Sequence, residues 1–319
     1  LGAVRNTSIP IDAMLTSSSL SAFRIWFATC VVLFAGVTAS VAIAQSKAET
    51  EEAIDAGTQV TLAEAALTES SGLCFSRIDP HCVWTHNDSG DGPRLFAFDC
   101  RSGAQSGQCR LSVSKAVDWE DMAAFTDEGV PRLLVADCGD NRSQRSSVRM
   151  YLFDEPRPDT DSTVQQLTTI EMKYADGPHD CEAVAVDVSR RQIVMVAKGR
   201  LPFAGVYVLP LPKRSETART ITQMAKRVAT LAMPMITAMD LNVSNGDLWL
   251  CNYWAAFHYP KTSPDVSLAK QLSKPADPIP LPRWKQIEAL ALDDEQRVWI
   301  TTEGTALLGR LKIPNGASQ

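Results

Sequence analysis

The chain has 319 residues, 45% hydrophobic and 21% charged, which is the composition of a globular protein and excludes a disordered chain. Eighteen Pro, 17 Gly and 7% aromatic residues exclude collagen-like and polyproline repeats. A formal net charge of -6 without a long basic run excludes nucleic acid as the main partner, because phosphate neutralisation requires clustered Lys and Arg.

Arg24 precedes an apolar stretch from Ile25 to Ala44, which closes with Ala42-Ile43-Ala44 before polar Gln45. A basic flank, an apolar run and a small-residue cleavage site predict a secretory signal cut near Ala44. The mature chain is then expected in the periplasm or outside the cell, without a membrane span. About 20 apolar residues also suffice for an uncleaved anchor, but Gly36, Thr38 and Ser40 interrupt the second half of the run. Residues 1–23 read as an upstream extension, 45–57 as a polar linker and 58–319 as a single domain.

From residue 58 onward, short apolar runs alternate with clusters of Gly, Asn, Asp and Pro, and no helical period is sustained, so the domain is expected to be all-β. The runs repeat. Ser71-Gly-Leu-Cys-Phe, Glu120-Asp-Met-Ala-Ala, Glu182-Ala-Val-Ala-Val, Thr237-Ala-Met-Asp-Leu and Glu288-Ala-Leu-Ala-Leu each begin polar and continue as a compact apolar strand. A second strand follows each at Val83–Thr85, Leu133–Val135, Ile193–Met195, Leu248–Leu250 and Val298–Ile300, and a third is clearest at 94–99, 149–154 and 205–209. Three or four strands per unit, repeated about every 50 to 60 residues, predict propeller blades. First strands that are apolar on both faces fit burial between blades, whereas one face of a β-sandwich sheet would alternate.

Five units are visible, and the fifth runs out of chain before its outer strand. Thr58–Leu62 precedes the first unit without a blade of its own, so it is expected to complete the last blade and close the ring. Six blades are the alternative, with a degenerate unit in 213–235 or 260–285. The Pro-rich stretch 275–282 reads as an edge or a linker.

Outside Cys30, seven cysteines stand at 74, 82, 100, 109, 138, 181 and 251. In an oxidising compartment, short turn-rich loops predict the disulfides Cys100–Cys109 and Cys74–Cys82, with Cys138 and Cys181 as a third pair across neighbouring blades. The odd count leaves one thiol unpaired in a monomer, the expected state.

Glu120, Glu182 and Glu288 occupy the same repeat position, and Asp118 and Asp180 stand two residues before the first two. In a propeller these strand starts ring one channel mouth. Antiparallel second strands return to that face and deliver Asn87, Asp88, Asp137, Asn141, Lys198, Asn252 and Glu303.

Ser71-Gly-Leu, the run Trp84-Thr-His-Asn-Asp-Ser-Gly-Asp91 with Arg94, Asp118-Trp-Glu-Asp121, Gly139-Asp-Asn141 with Arg145, and Asp180-Cys-Glu-Ala183 together resemble a family of secreted bacterial β-propeller proteins without an assigned activity. The resemblance spans most of residues 66–310 and implies the propeller fold and export; it implies no reaction. Thr237 departs from the carboxylate pattern.

Such a mouth fits a small polar ligand, an envelope protein or a hard cation such as Ca²⁺ or Mg²⁺, with Glu120, Glu182 and Glu288 as metal ligands or catalytic carboxylates. The enzymatic alternatives are a metal-dependent hydrolase of a lactone, ester or phosphoester, or a glycosidase. The competing bland reading is that Glu at a blade start caps backbone N–H groups of the adjoining blade. Asn87 to Gly92 resembles the start of a calcium loop, but Phe98 stands where the closing Glu is needed, so an Asx-type turn is expected. No His-Glu-x-x-His, Gly-x-Ser-x-Gly or Walker motif occurs.

Overall fold

A computed structural model describes residues 53–198, 202–214 and 219–313. The expected signal and most of the expected linker lie outside the described residues. Among the described residues, twenty-one strands build a five-bladed propeller. Blade 1 is β2 (Ser70–Phe75), β3 (Cys82–Asn87), β4 (Arg94–Asp99) and β5 (Gln105–Leu111), with β9 (Ser162–Val164) added in parallel at its outer edge. Blade 2 is β6 (Trp119–Asp127), β7 (Val130–Asp137), β8 (Val148–Asp154) and β10 (Thr168–Tyr174). Blade 3 is β11 (Asp180–Asp187), β12 (Gln192–Lys198), β13 (Ala204–Pro210) and β14 (Thr220–Leu231). Blade 4 is β15 (Ile236–Leu241), β16 (Leu248–Asn252), β17 (Ala255–Tyr259) and β18 (Pro278–Pro280). Blade 5 is β19 (Ile287–Leu292), β20 (Val298–Thr302) and β21 (Leu307–Arg310), completed by β1 (Val60–Thr61).

The innermost strands β2, β6, β11, β15 and β19 pack side by side in that order and back to β2, so the ring is closed. The expected latch is present: β1 pairs antiparallel with β21, with Val60 opposite Leu308 and Thr61 opposite Leu307. Arg310 Nε donates to Asp55 Oδ2 at 2.6 Å beside that seam. Both side chains are partly exposed, so Asp55→Asn is expected to cost only about 0.5–1 kcal/mol in chemical denaturation.

Residues proposed for a sixth blade serve the five instead. Residues 220–231 form the outer strand of blade 3, and the Pro-rich stretch forms the edge strand β18 after a helical turn, Leu268–Gln271. The outer edges of blades 2 and 3 cover each other, because β10 and β14 pair in parallel from Thr169 opposite Thr220 to Tyr174 opposite Ala225. Two edges that would template aggregation are thereby satisfied.

Each gap between neighbouring blades has its own apolar core. Leu134, Met150, Ile193 and Met195 fill the gap between blades 2 and 3, and Trp84, Met122, Leu133 and Tyr151 that between blades 1 and 2. Innermost strands with no polar face follow from this two-sided burial, since a blade's strand meets apolar neighbours on both sides.

The disulfide expectations are corrected: Cys74, Cys82, Cys100, Cys109, Cys138, Cys181 and Cys251 are all free and buried. Cys109 lies opposite Leu95, five residues from Cys100 along β4, which is roughly 16 Å at the rise of a strand. Cys74 faces Trp84, so Cys82 is its diagonal neighbour, at a typical separation of about 7–8 Å that a disulfide does not bridge. Cys138 and Cys181 do meet across blades 2 and 3, as the third expected pair requires, and the Cys138 thiol donates to the Cys181 carbonyl at 3.4 Å.

Candidate functional site

All five innermost strands begin with a register shift against their second strand. The skipped positions are Ser71 and Gly72 in β2, Glu120 in β6, Glu182 in β11, Thr237 in β15 and Glu288 in β19. A bulge leaves its extra residue outside the ladder and re-aims its side chain. This local device turns the repeated strand-start position toward the channel mouth, where Glu120, Glu182 and Glu288 line a cavity of about 180 Å³ together with Asp88, Lys198 and Glu303. Ser71, Glu69, Asn141, Tyr253 and Gln286 complete the wall.

Carboxylate oxygens converge twice within that mouth. Asp88, Asp118 and Glu120 bring one oxygen each to within 4.8 Å of one another, and so do Glu120, Asp180 and Glu182, so Glu120 belongs to both groups. Gly139 makes this approach sterically feasible: a Cβ there would stand 2.1 Å from Glu120 Oε1 and 2.6 Å from Asp118 Oδ2. The following residue supports the second group, because the Asp140 backbone N–H donates to Asp180 Oδ1 at 2.7 Å.

Positive charge is scarce here. Lys198 Nζ donates to Glu182 Oε1 at 2.7 Å. Arg145 donates to Asp137 Oδ1 at 2.8 Å and to the Gly139 carbonyl at 2.7 Å, and Arg94 makes a bidentate pair with Asp91. Of Lys198, Arg145 and Arg94, only Lys198 therefore bonds a carboxylate of either triad. Among the described residues, no donor pairs with the Glu120 carboxylate, which is 7% exposed.

The electrostatic consequence is a set of acids that resist ionisation. Burial pushes Asp88 up to about 7, and its neighbour Asp118 adds to the shift. Burial also raises Glu288 to about 7, against a hydrogen bond from Tyr253 and the charge of Lys198. Glu120 is held well above the ordinary carboxylate range by burial and then by the charges of Glu182 and Asp88. Glu182 is likewise raised, because burial outweighs its contact with Lys198. Burial raises Asp118 too, and Asp180 reinforces it. Protons or a cation must neutralise such a cluster.

Several residues expected to bind ligand instead hold the fold. Asp137 is fully buried and takes Arg145 together with the Val117 and Asp118 backbone N–H groups. Asn87 accepts from the Thr68 and Glu69 N–H groups at 2.9 Å and donates to Asp91, which makes the 87–94 loop a polar turn. Asn252 accepts from the Trp254 and Ala255 N–H groups at 3.0 and 2.9 Å. Thr237 contacts Cys251 at 3.4 Å and lies away from the carboxylate groups.

The bland reading of the repeated Glu is true of its neighbour instead. Asp121, fully buried, accepts from the Met122 and Val184 N–H groups at 2.8 Å and from Met239 at 3.3 Å, so one side chain ties blade 2 to blades 3 and 4. Asp240 repeats the device by accepting from Leu292 of blade 5 at 2.7 Å. The struts occupy the channel beneath the mouth and leave Glu120, Glu182 and Glu288 unused by the backbone. Glu69, Gln286 and Trp254 are mouth or rim residues that no repeat signal marked.

The fold and site thus define a five-bladed propeller with a carboxylate-rich mouth. No family model matches the sequence, and no curated protein matches it. Among solved structures, the PQQ-bound aldose sugar dehydrogenase of Streptomyces coelicolor is similar at 11% identity and TM-score 0.44, over 79% of this chain and 96% of that one. A streptogramin B lyase matches at 10% identity and TM-score 0.42, over 80% and 97%. The calcium-binding regucalcin of Agrobacterium tumefaciens matches at 12% identity and TM-score 0.41, over 80% and 77%. These are likenesses of fold, which the strand pairing above establishes independently.

Proposed function

We propose that the protein is a cation-binding propeller whose mouth holds a divalent cation, Ca²⁺ in the first instance, through Asp88, Asp118, Glu120, Asp180 and Glu182. The observation that carries this reading is the Glu120 carboxylate, which opens onto the mouth cavity and is common to both oxygen groups. An all-oxygen set suits a hard cation, and the irregular spacing of side chains from three blades suits the flexible coordination of Ca²⁺ better than the strict octahedron of Mg²⁺. Bound there, the ion would replace the protons that the cluster otherwise retains and would offer remaining coordination positions to an oxygen-bearing small ligand.

Calorimetric titration of chelator-treated protein with Ca²⁺ and Mg²⁺ at pH 7.5 tests this. Saturable Ca²⁺ binding is expected, weakened at least about tenfold in Glu120→Gln, since a neutral amide removes a shared charged ligand. Absence of Ca²⁺ and Mg²⁺ heat with the wild type, or equal affinity in wild type and Glu120→Gln, would overturn the reading.

A further inference from the structure

Trp254 is 60% exposed, the most exposed large hydrophobic side chain among the described residues. Its exposure is built into the fold. The Trp254 N–H is held by Asn252 Oδ1 at 3.0 Å, its carbonyl accepts from Leu281 at 2.9 Å, and Ala255 N–H is fixed by the same Asn252 oxygen. The Tyr253 ring stands edge-on to the indole with centroids 6.1 Å apart. With Trp284, Leu281 and Gln286 these rings line a concave shelf of about 570 Å³.

The shelf adjoins the acidic mouth, because Tyr253 and Gln286 belong to the walls of both cavities. Its inner end is anionic. Glu288 takes the Tyr253 hydroxyl, and Glu303 takes Gln286 Nε2. Arg283, exposed, lines the shelf and Lys198, already bonded to Glu182, lines the mouth; these two positive charges stand against Glu288, Glu303, Asp88, Glu120, Glu182 and Glu69. An exposed indole flanked by half-buried aromatic rings and carboxylates is the chemistry that recognises an organic ammonium: the rings attract its charge through their quadrupoles and the carboxylates supply the counter-ion.

We infer that the Tyr253, Trp254 and Trp284 shelf is a binding site for a small organic cation carrying a quaternary or primary ammonium group, seated over Trp254 with its charge toward Glu288 and Glu303. This extends the proposed cation-binding mouth to a second compartment and rests on the excess of negative charge in that mouth, although it requires no metal. A purely apolar shelf would take a neutral ligand of the same shape equally well, so shape and charge are separable.

The test uses choline and its neutral isostere 3,3-dimethylbutanol as probes of the full chain, followed by tryptophan fluorescence at pH 8 in chelator. Choline is expected to give a saturable change with an affinity at least tenfold above that of the isostere. Trp254→Ala and Glu288→Gln are each expected to weaken choline about tenfold. Calorimetric Ca²⁺ titration of Trp254→Ala is run in parallel and is expected to match the wild type. Equal affinity for choline and isostere, no saturable choline response, or unchanged choline binding in Trp254→Ala with heat of binding as readout would overturn the inference. Loss of Ca²⁺ binding in the wild type would count against the metal at the mouth alone, so the two failures are distinguishable.

Discussion

Replacing Asp121 by Ala is expected to lower the folding stability by at least about 3 kcal/mol, the largest effect of any single mouth-region substitution. The reason is its place in the ring. Two backbone N–H groups at 2.8 Å and one at 3.3 Å end on this carboxylate, and they belong to three different blades. Truncation to Ala leaves all three buried and without an acceptor, at about 1–3 kcal/mol for each lost partner before relaxation or water entry. The removed carboxyl itself was costly to bury, which is why its proton affinity is well above the ordinary range, and this relief offsets part of the loss. Asp121→Asn should cost less, because its single amide oxygen can still serve the Val184 and Met239 N–H groups that share Oδ2. Urea denaturation of the three proteins at pH 6 checks the order wild type, Asn, Ala. A cost below about 1 kcal/mol for Asp121→Ala would show that the blades are held by their apolar interfaces and that the strut is dispensable.

The neighbours Glu120 and Asp121 differ in what their positions in the sequence reveal. Repetition marked the strand starts, and burial on both faces marked the blades, because both leave patterns that survive in one dimension: a recurring polar residue, and runs such as Ala183–Val186 without a polar face. Glu120 was placed at the mouth by its repeat position, but the role of Asp121 as an inter-blade strut was not legible, since a bulge re-aims neighbouring side chains without changing composition. The cysteine pairing failed for a related reason. The eight residues between Cys100 and Cys109 suggested a closed loop, but the hairpin turns tightly after Cys100 and β5 carries Cys109 back along β4 to Leu95. Asn87, Asp137 and Asn252 stand at the mouth end of their strands as expected, yet nearby backbone N–H groups occupy them, which only the local turns reveal. Trp254 carries no signal at all, because a single aromatic residue in a loop has no period.

Titration should expose the charge frustration of the mouth directly. Asp88 and Glu288 move from ordinary values of 3.8 and 4.5 to about 7 in the folded protein, and Asp240 from 3.8 to about 6. Each is raised, so the folded state binds more protons than the unfolded one. The stability these groups contribute is complete below about pH 4 and is lost as pH rises through 6 to 7. His86 works the other way: burial lowers it from 6.5 to about 4, so its contribution grows with pH and is complete by about pH 6.5. Carboxylates with lowered values, such as Asp99 at about 2, change stability only in more acid solution. In chelator, thermal stability is therefore expected to fall most clearly between about pH 6.5 and 7.5, where His86 no longer compensates. A divalent cation competes with the same protons. At pH 5 it should hardly bind. At pH 8, Ca²⁺ at 100 times its dissociation constant adds about 2.7 kcal/mol, or roughly 5–10 °C in a domain of this size. The difference in unfolding temperature between Ca²⁺ and chelator should thus open with pH, and at the same Ca²⁺ concentration it should be about half as large or smaller in Glu120→Gln. The slope owed to Asp240, which lies among backbone N–H groups away from the mouth, should persist with and without the ion. A difference that is equally large at pH 5 and pH 8 would place the ion elsewhere than on these carboxylates, and no difference at either pH would leave the mouth to protons alone.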